Sequence, residues 1–107
     1  MERSDKIKAM EAVGIDEDTY NELLRSFVPE VEAEIGKLGE AVEKDDFAGI
    51  AAIGHGLKGM AGNLYITPMQ DAAKAIEALA REGRDKQAIM GKIAALKQSA
   101  EELKQII

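Results

Sequence analysis

The chain has 107 residues, 20 acidic against 14 basic, and a net charge of −6 at neutral pH, which fits one domain with its own core and argues against nucleic acid or an anionic membrane as partner. It has no cysteine and a single histidine, which excludes disulfides, zinc–thiolate centres, haem attachment and histidine-rich metal sites. No apolar run approaches membrane-spanning length and residues 1–5 lack the apolar core of a signal peptide, so a cytoplasmic location is expected.

Alanine, leucine, isoleucine, glutamate and lysine dominate and β-type alternation is absent, which predicts an all-α domain. Residues 5–13 form a short helix capped by Ser4 and stopped by Gly14, with Ile7, Met10 and Val13 as a small apolar edge. Asp16 caps the next helix, with Ile15 and Tyr20 as a hydrophobic staple. Tyr20, Leu23, Leu24 and Phe27 share one face, Pro29 breaks or kinks the helix, and Val31, Ile35, Leu38 and Val42 carry the stripe to about Lys44. Asp45 and Asp46 make a turn and cap.

A third helix over 47–65 shows Phe47, Ile50, Ile53, Leu57, Met60 and Leu64 at helical spacing. Thr67-Pro68-Met69-Gln70 has the form of a capping box with proline at the first helical position. It opens a helix over 68–82 that ends at Gly83. The last helix, 86–106, shows Ile89, Ile93, Leu96, Ala100, Leu103 and Ile107. Short loops make these neighbours antiparallel. The expected architecture is an antiparallel up-down four-helix bundle over residues 15–107, with residues 1–14 as a helical extension.

His55 stands among Gly54, Gly56, Gly59 and Gly62 inside the third helix. Each glycine in a helix interior costs about 0.8–1 kcal/mol relative to alanine, so the four together give up roughly 3–4 kcal/mol. On a wheel of about 100° per residue, His55 lies opposite the apolar stripe. Its side of the helix carries Ala48, Ala51, Ala52, Gly59 and Gly62, almost without the charged residues usual on a solvent face. A flat, uncharged strip around a protruding imidazole lets another protein approach the backbone closely.

A lone exposed imidazole lacks the nucleophile and orienting acid of a hydrolase, the further ligands of a metal site and the pocket of a general base. Acceptance of a phosphoryl group brought by a partner remains, since imidazole with an ordinary pKa of about 6.5 is largely neutral and nucleophilic at pH 7. Lys58, one turn on, is placed to meet phosphoryl oxygens.

The run His55-x-Leu57-Lys58-Gly59-x-Ala61-x-Asn63-Leu64 resembles the signature of histidine-containing phosphotransfer (HPt) domains of two-component phosphorelays. Tyr20-x-x-Leu23-Leu24-x-x-Phe27, Asp45-Asp46-Phe47 and Ala75-Ile76-Glu77-x-x-Ala80-Arg81-x-Gly83 resemble the family too. The resemblance implies that His55 takes a phosphoryl group on Nε2 from a receiver-domain aspartate and passes it to another receiver. It implies that Lys58 stabilises that group and that Gly59 clears space for it. Glu77 sits where a polar residue supports the other ring nitrogen, with a plain pair to Arg81 as the competing reading, and Gln70 is a second candidate for polar support.

The receiver would dock on Ala48, Ala51, Ala52, Gly56, Gly59, Gly62 and Asn63. The implied partners are response-regulator receivers and a hybrid sensor kinase, with the chain a monomer. No cofactor of its own is implied; Mg²⁺ belongs to the receiver. The chain lacks a glycine-rich loop followed by Lys-Ser/Thr, so it is expected to carry phosphoryl groups without being a kinase. Two other readings stay open: a phosphoacceptor domain cut from a hybrid or chemotaxis-type kinase, and a helical adaptor that works without phosphorylation. Tyr65, where the family commonly has glycine, and Met60, where relatives often carry a small polar residue, depart from the pattern.

Overall fold

The computed structural model describes residues 2–107. Five helices follow in order: α1 Arg3–Val13, α2 Glu17–Glu43, α3 Phe47–Asn63, α4 Thr67–Glu82 and α5 Lys86–Gln105. No strand occurs among the described residues, so the fold is all-α.

Local chemistry sets most of the boundaries. The Asp16 carboxylate accepts from the Thr19 amide at 2.8 Å, Asp46 from Gly49 at 2.9 Å and Asp85 from Ala88 at 3.1 Å, each satisfying an orphan donor of a first turn. Gly14 and Gly83 close α1 and α4 in the left-handed conformation, which glycine adopts without steric cost.

Three expectations change, and one is narrowed. Helix α1 starts at Arg3 with Glu2 at its cap position, so Ser4 lies inside it. Its buried face is Lys6 and Ala9, while Ile7 is 42% exposed. The lysine is tolerated because its ammonium donates to the Ile106 carbonyl at 2.9 Å and pairs with Glu17 at 3.0 Å, leaving its stem to pack. Of the two outcomes expected at Pro29 a break does not occur, and α2 continues through it as the single helix expected to about Lys44. Residues 25, 26, 29 and 30 are exposed, so water can serve the Arg25 carbonyl that proline leaves without a donor. The capping box also fails: α4 begins at Thr67 itself, behind Ile66, with no side-chain cap. Burial of Ile66, whose amide bonds the Ala61 carbonyl at 3.0 Å, already turns the chain into the helix.

Each long helix packs on two others: α2 on α3 and α5, and α4 on α3 and α5. The core between them holds Tyr20, Leu24, Leu38, Ile50, Leu57, Met69, Ile76, Ile89 and Leu96, all essentially without exposure. Full burial of a large apolar side chain contributes about 1.5–3 kcal/mol. Tyr20 does more than fill space. Its hydroxyl donates to the Leu64 carbonyl at 2.7 Å, tying the first turn of α2 to the end of α3, and burial pushes its pKa up to about 12.

Candidate functional site

The site begins with a close approach of two helices. The buried face of α3 is Ile50, Gly54, Leu57 and Ala61, at spacings of four, three and four. At Gly54 a Cβ would stand 3.1 Å from the Glu77 amide nitrogen, 3.2 Å from the Ala73 carbonyl oxygen and 3.3 Å from Ile76 Cγ2. Glycine therefore lets the backbone of α4 lie against α3 here. One position on from Gly54 in the chain, His55 emerges at the edge of this contact, beside Glu77 on the facing helix.

Glu77 is the hub. Its side chain is only 8% exposed, against 66% for His55. One carboxylate oxygen, Oε1, accepts from Lys58 Nζ at 2.9 Å. The other, Oε2, lies 3.0 Å from His55 Nδ1 and accepts from Arg81 Nη2 at 2.6 Å. The bond from the Lys58 ammonium, above all, holds the Glu77 carboxyl down to about 2, against the opposing effect of its burial. The Arg81 and Lys58 charges and the His55 bond add to the lowering. At neutral pH Glu77 is thus an anion and can only accept. His55 Nδ1 must donate to it, so in neutral imidazole Nε2 keeps the lone pair.

The structure sorts the expected site residues. Ala48, Ala52, Gly56, Gly59 and Asn63 are exposed on α3 with His55, spaced three or four apart along one strip. At Gly56 and Gly59 a Cβ would meet nothing within 4 Å. Ala51 is half-buried and packs on the core. Gly62 is half-buried beneath the Gln70 amide, whose nitrogen would stand 2.8 Å from a Cβ there. Gln70 is therefore placed against Gly62, about 10 Å along the helix axis from the level of His55. Lys58 is half-buried and turned to Glu77.

Glu77 meets both His55 and Arg81, so the two readings of its role are compatible. Arg81 belongs to the cluster, and its spacing of four from Glu77 was the available signal. Lys74 also lines the shallow hollow of about 310 Å³ formed by His55, Lys58, Glu77, Ala78 and Arg81.

Tyr65 has a physical explanation. Its φ is +56°, in the left-handed region that favours glycine, and the residue is 52% exposed. Glycine suits this position for its backbone, and a tyrosine fits by turning its ring to solvent. Met60 is half-buried against the core.

Among the described residues, no three His, Cys, Asp or Glu side chains are grouped to hold a metal ion. No helix there is long and apolar enough to cross a membrane. Neither the curated proteins nor the solved structures include a significant match to the chain. The family model of the Hpt domain matches residues 22–106, well over half the chain and all of the cluster around the imidazole, and the protein belongs to the Hpt domain family.

Proposed function

We propose that His55 accepts a phosphoryl group from a receiver-domain aspartyl phosphate and passes it to another receiver. Membership of the Hpt family makes the domain a phosphocarrier in two-component signalling; the residues, donor and acceptor are our reading. The observation that carries it is the Nδ1–Glu77 bond, which orients the ring with Nε2 as nucleophile. The Nε2 lone pair forms a bond to phosphorus as the P–O bond to the receiver aspartate breaks, and that electron pair leaves with the carboxylate. The proton on Nδ1 stays, so the ring becomes a phosphoimidazolium whose positive charge faces Glu77. Transfer to the second receiver runs the same exchange in reverse.

In this reading Lys58 turns from Glu77 to the phosphoryl oxygens. Gly59 keeps the approach clear, and the exposed strip of α3 receives the receiver, which brings Mg²⁺ on its own carboxylates. The chain has no ATP site and acts as a soluble, cytoplasmic monomer. The helix pairings fit the antiparallel up-down four-helix bundle expected over residues 15–107.

Incubation with a ³²P-labelled receiver tests this. The expected product is an acid-labile, base-stable adduct on the wild type and none on His55→Gln. Label that persists on His55→Gln, or never reaches the wild type, would overturn the reading.

A further inference from the structure

Among the described residues, three other than glycine adopt a left-handed backbone: Asp45, Tyr65 and Asp85. The aspartates are short and polar, which this region tolerates, and both are used. Asp85 caps α5 and Asp45 pairs with Lys86 at 2.7 Å. Tyr65 has no such role. Its phenol bonds nothing among the described residues, and the residue is exposed. Glycine would hold the turn with less strain, so the ring is kept at a cost to the fold, which points to a contact outside it.

The ring forms one wall of a cleft of about 470 Å³, to which α1 supplies Asp5, Lys8 and Ala9, and α4 supplies Asp71. Ala9 is buried, while Asp5, Lys8 and Asp71 are exposed. Neither carboxylate has an ion-pair partner among the described residues. The cleft opens on the same face as the imidazole. Thr67, Asp71, Lys74, Ala78 and Arg81 recur along α4 at spacings of four, three, four and three, all exposed, and so form one stripe. Its first two members border the Tyr65 cleft and its last three the hollow beside His55. From Asp71 to Ala78 is about 10 Å along the axis. A standard interface covers about 800 Å² on each partner, a patch about 16 Å in radius. A partner centred on His55 therefore reaches Tyr65.

We propose that Tyr65 is a specificity-determining residue for the receiver: its cleft takes a lysine or arginine side chain carried by the receiver docked on His55. This rests on the phosphocarrier reading above. The cleft has an aromatic face, an apolar floor at Ala9, and two carboxylates against one ammonium. A long cationic side chain matches all three. Its stem packs on Ala9, and its head stacks on the ring and meets Asp5 or Asp71. An acidic side chain there would be repelled. Two of the walls lie outside the family pattern. Helix α1 precedes residues 22–106 that match the family, and Tyr65 stands where the family commonly has glycine. The His55 cluster carries the chemistry any receiver needs; the cleft adds a contact that only some receivers can make.

The test separates binding from chemistry. Among several receiver domains, the one that labels the wild type with the lowest KM is titrated against wild type, Tyr65→Gly, Tyr65→Phe and the double variant Asp5→Asn/Asp71→Asn. Both KM and kcat for ³²P transfer to His55 are measured. Tyr65→Gly should raise KM about five- to tenfold. Its kcat should stay within about twofold of wild type, as expected for binding lost away from the reacting atoms. Tyr65→Phe keeps the ring face and should behave as wild type. The double variant should raise KM about two- to fivefold, an effect that added salt removes. Thermal unfolding gives the readout that a structural role would not: Tyr65→Gly should be the more stable protein and the poorer partner.

An unchanged KM in Tyr65→Gly overturns the proposal, as does a Tyr65→Gly protein less stable than wild type. A double variant with wild-type KM overturns the cationic occupant. Self-association of the wild type in sedimentation velocity that Tyr65→Gly abolishes, with receiver KM unchanged, assigns the cleft to a second copy of the chain and overturns the proposal too. A wild type that no receiver labels overturns the phosphocarrier reading itself, a result distinct from the others.

Discussion

Replacing Gly54 by alanine sets two effects of known size against each other. The added methyl gains about 1 kcal/mol of helix propensity. It would also stand 3.1–3.3 Å from three atoms of α4. Two of these, the Glu77 nitrogen and the Ala73 oxygen, are backbone, so relief requires the whole helix to back away rather than one side chain to rotate. Overpacking of this kind costs about 1–3 kcal/mol. The net expectation is a destabilisation of about 1 kcal/mol.

Gly56 and Gly59 are the controls. A Cβ at either meets nothing within 4 Å, so alanine at each should stabilise by about 0.8–1 kcal/mol. Urea unfolding followed by circular dichroism at constant m-value measures all three. A gap of roughly 2 kcal/mol should separate Gly54→Ala from either control. Because Glu77 rides on the turn that moves, Gly54→Ala should also slow phosphoryl acceptance. A Gly54→Ala protein as stable as Gly56→Ala would refute the close-approach reasoning.

Gly59→Gln should keep its helicity, since space is open there, while receiver-to-His55 transfer slows about tenfold or more from misplaced reactants; an unchanged rate removes the landing strip. Tyr65→Gly should raise stability by about 1 kcal/mol in thermal or urea unfolding, because it relieves a left-handed non-glycine residue. Acid titration of stability tests Glu77. Its folded pKa of about 2 lies below the 4.5 of a free carboxyl, so the unfolded chain binds the proton first, and the stability Glu77 contributes is whole above 4.5 and lost as pH falls toward about 2. Glu77→Gln should flatten the curve in that window. Tyr20→Phe should cost about 1 kcal/mol by leaving the Leu64 carbonyl without its donor. The wild type alone should lose stability from pH 10 toward about 12, where the unfolded chain ionises its tyrosine before the folded one does.

Apolar spacing and caps are local signals, which is why the helix starts after Asp16 and Asp46 and the helix end at Gly83 were legible almost to the residue. The outward phase of His55 followed from the same periodicity. Which glycine served which purpose followed only in part: Gly54 sits at the spacing of the buried stripe and Gly56 does not, but that the backbone of α4 lies against Gly54 depends on a neighbour that helix periodicity does not name. One glycine admits α4; the other faces open space. Lys6 was hidden for a similar reason. Its burial depends on an acceptor 100 residues away in the chain, and no window on a sequence contains both. Tyr65 was visible as an oddity, but its meaning lay in a backbone angle that side-chain patterns do not encode. Glu77 and Arg81 were legible as an i,i+4 pair, and the family resemblance put Glu77 beside the other ring nitrogen of His55; that Lys58 joins them required the register between α3 and α4.

The Lys6 ammonium has a consequence for how the domain opens. Chain ends ordinarily fray independently, each with a small opening free energy of its own. Here one cation holds the Ile106 carbonyl near the end of α5 and the Glu17 carboxylate at the start of α2, so α1 cannot detach without releasing both. Amide exchange in α1 and in the last turn of α5 should then occur as one cooperative event with a shared free energy. The amides around Glu77, about 15 Å along α4 from its first turn, should keep their protection throughout.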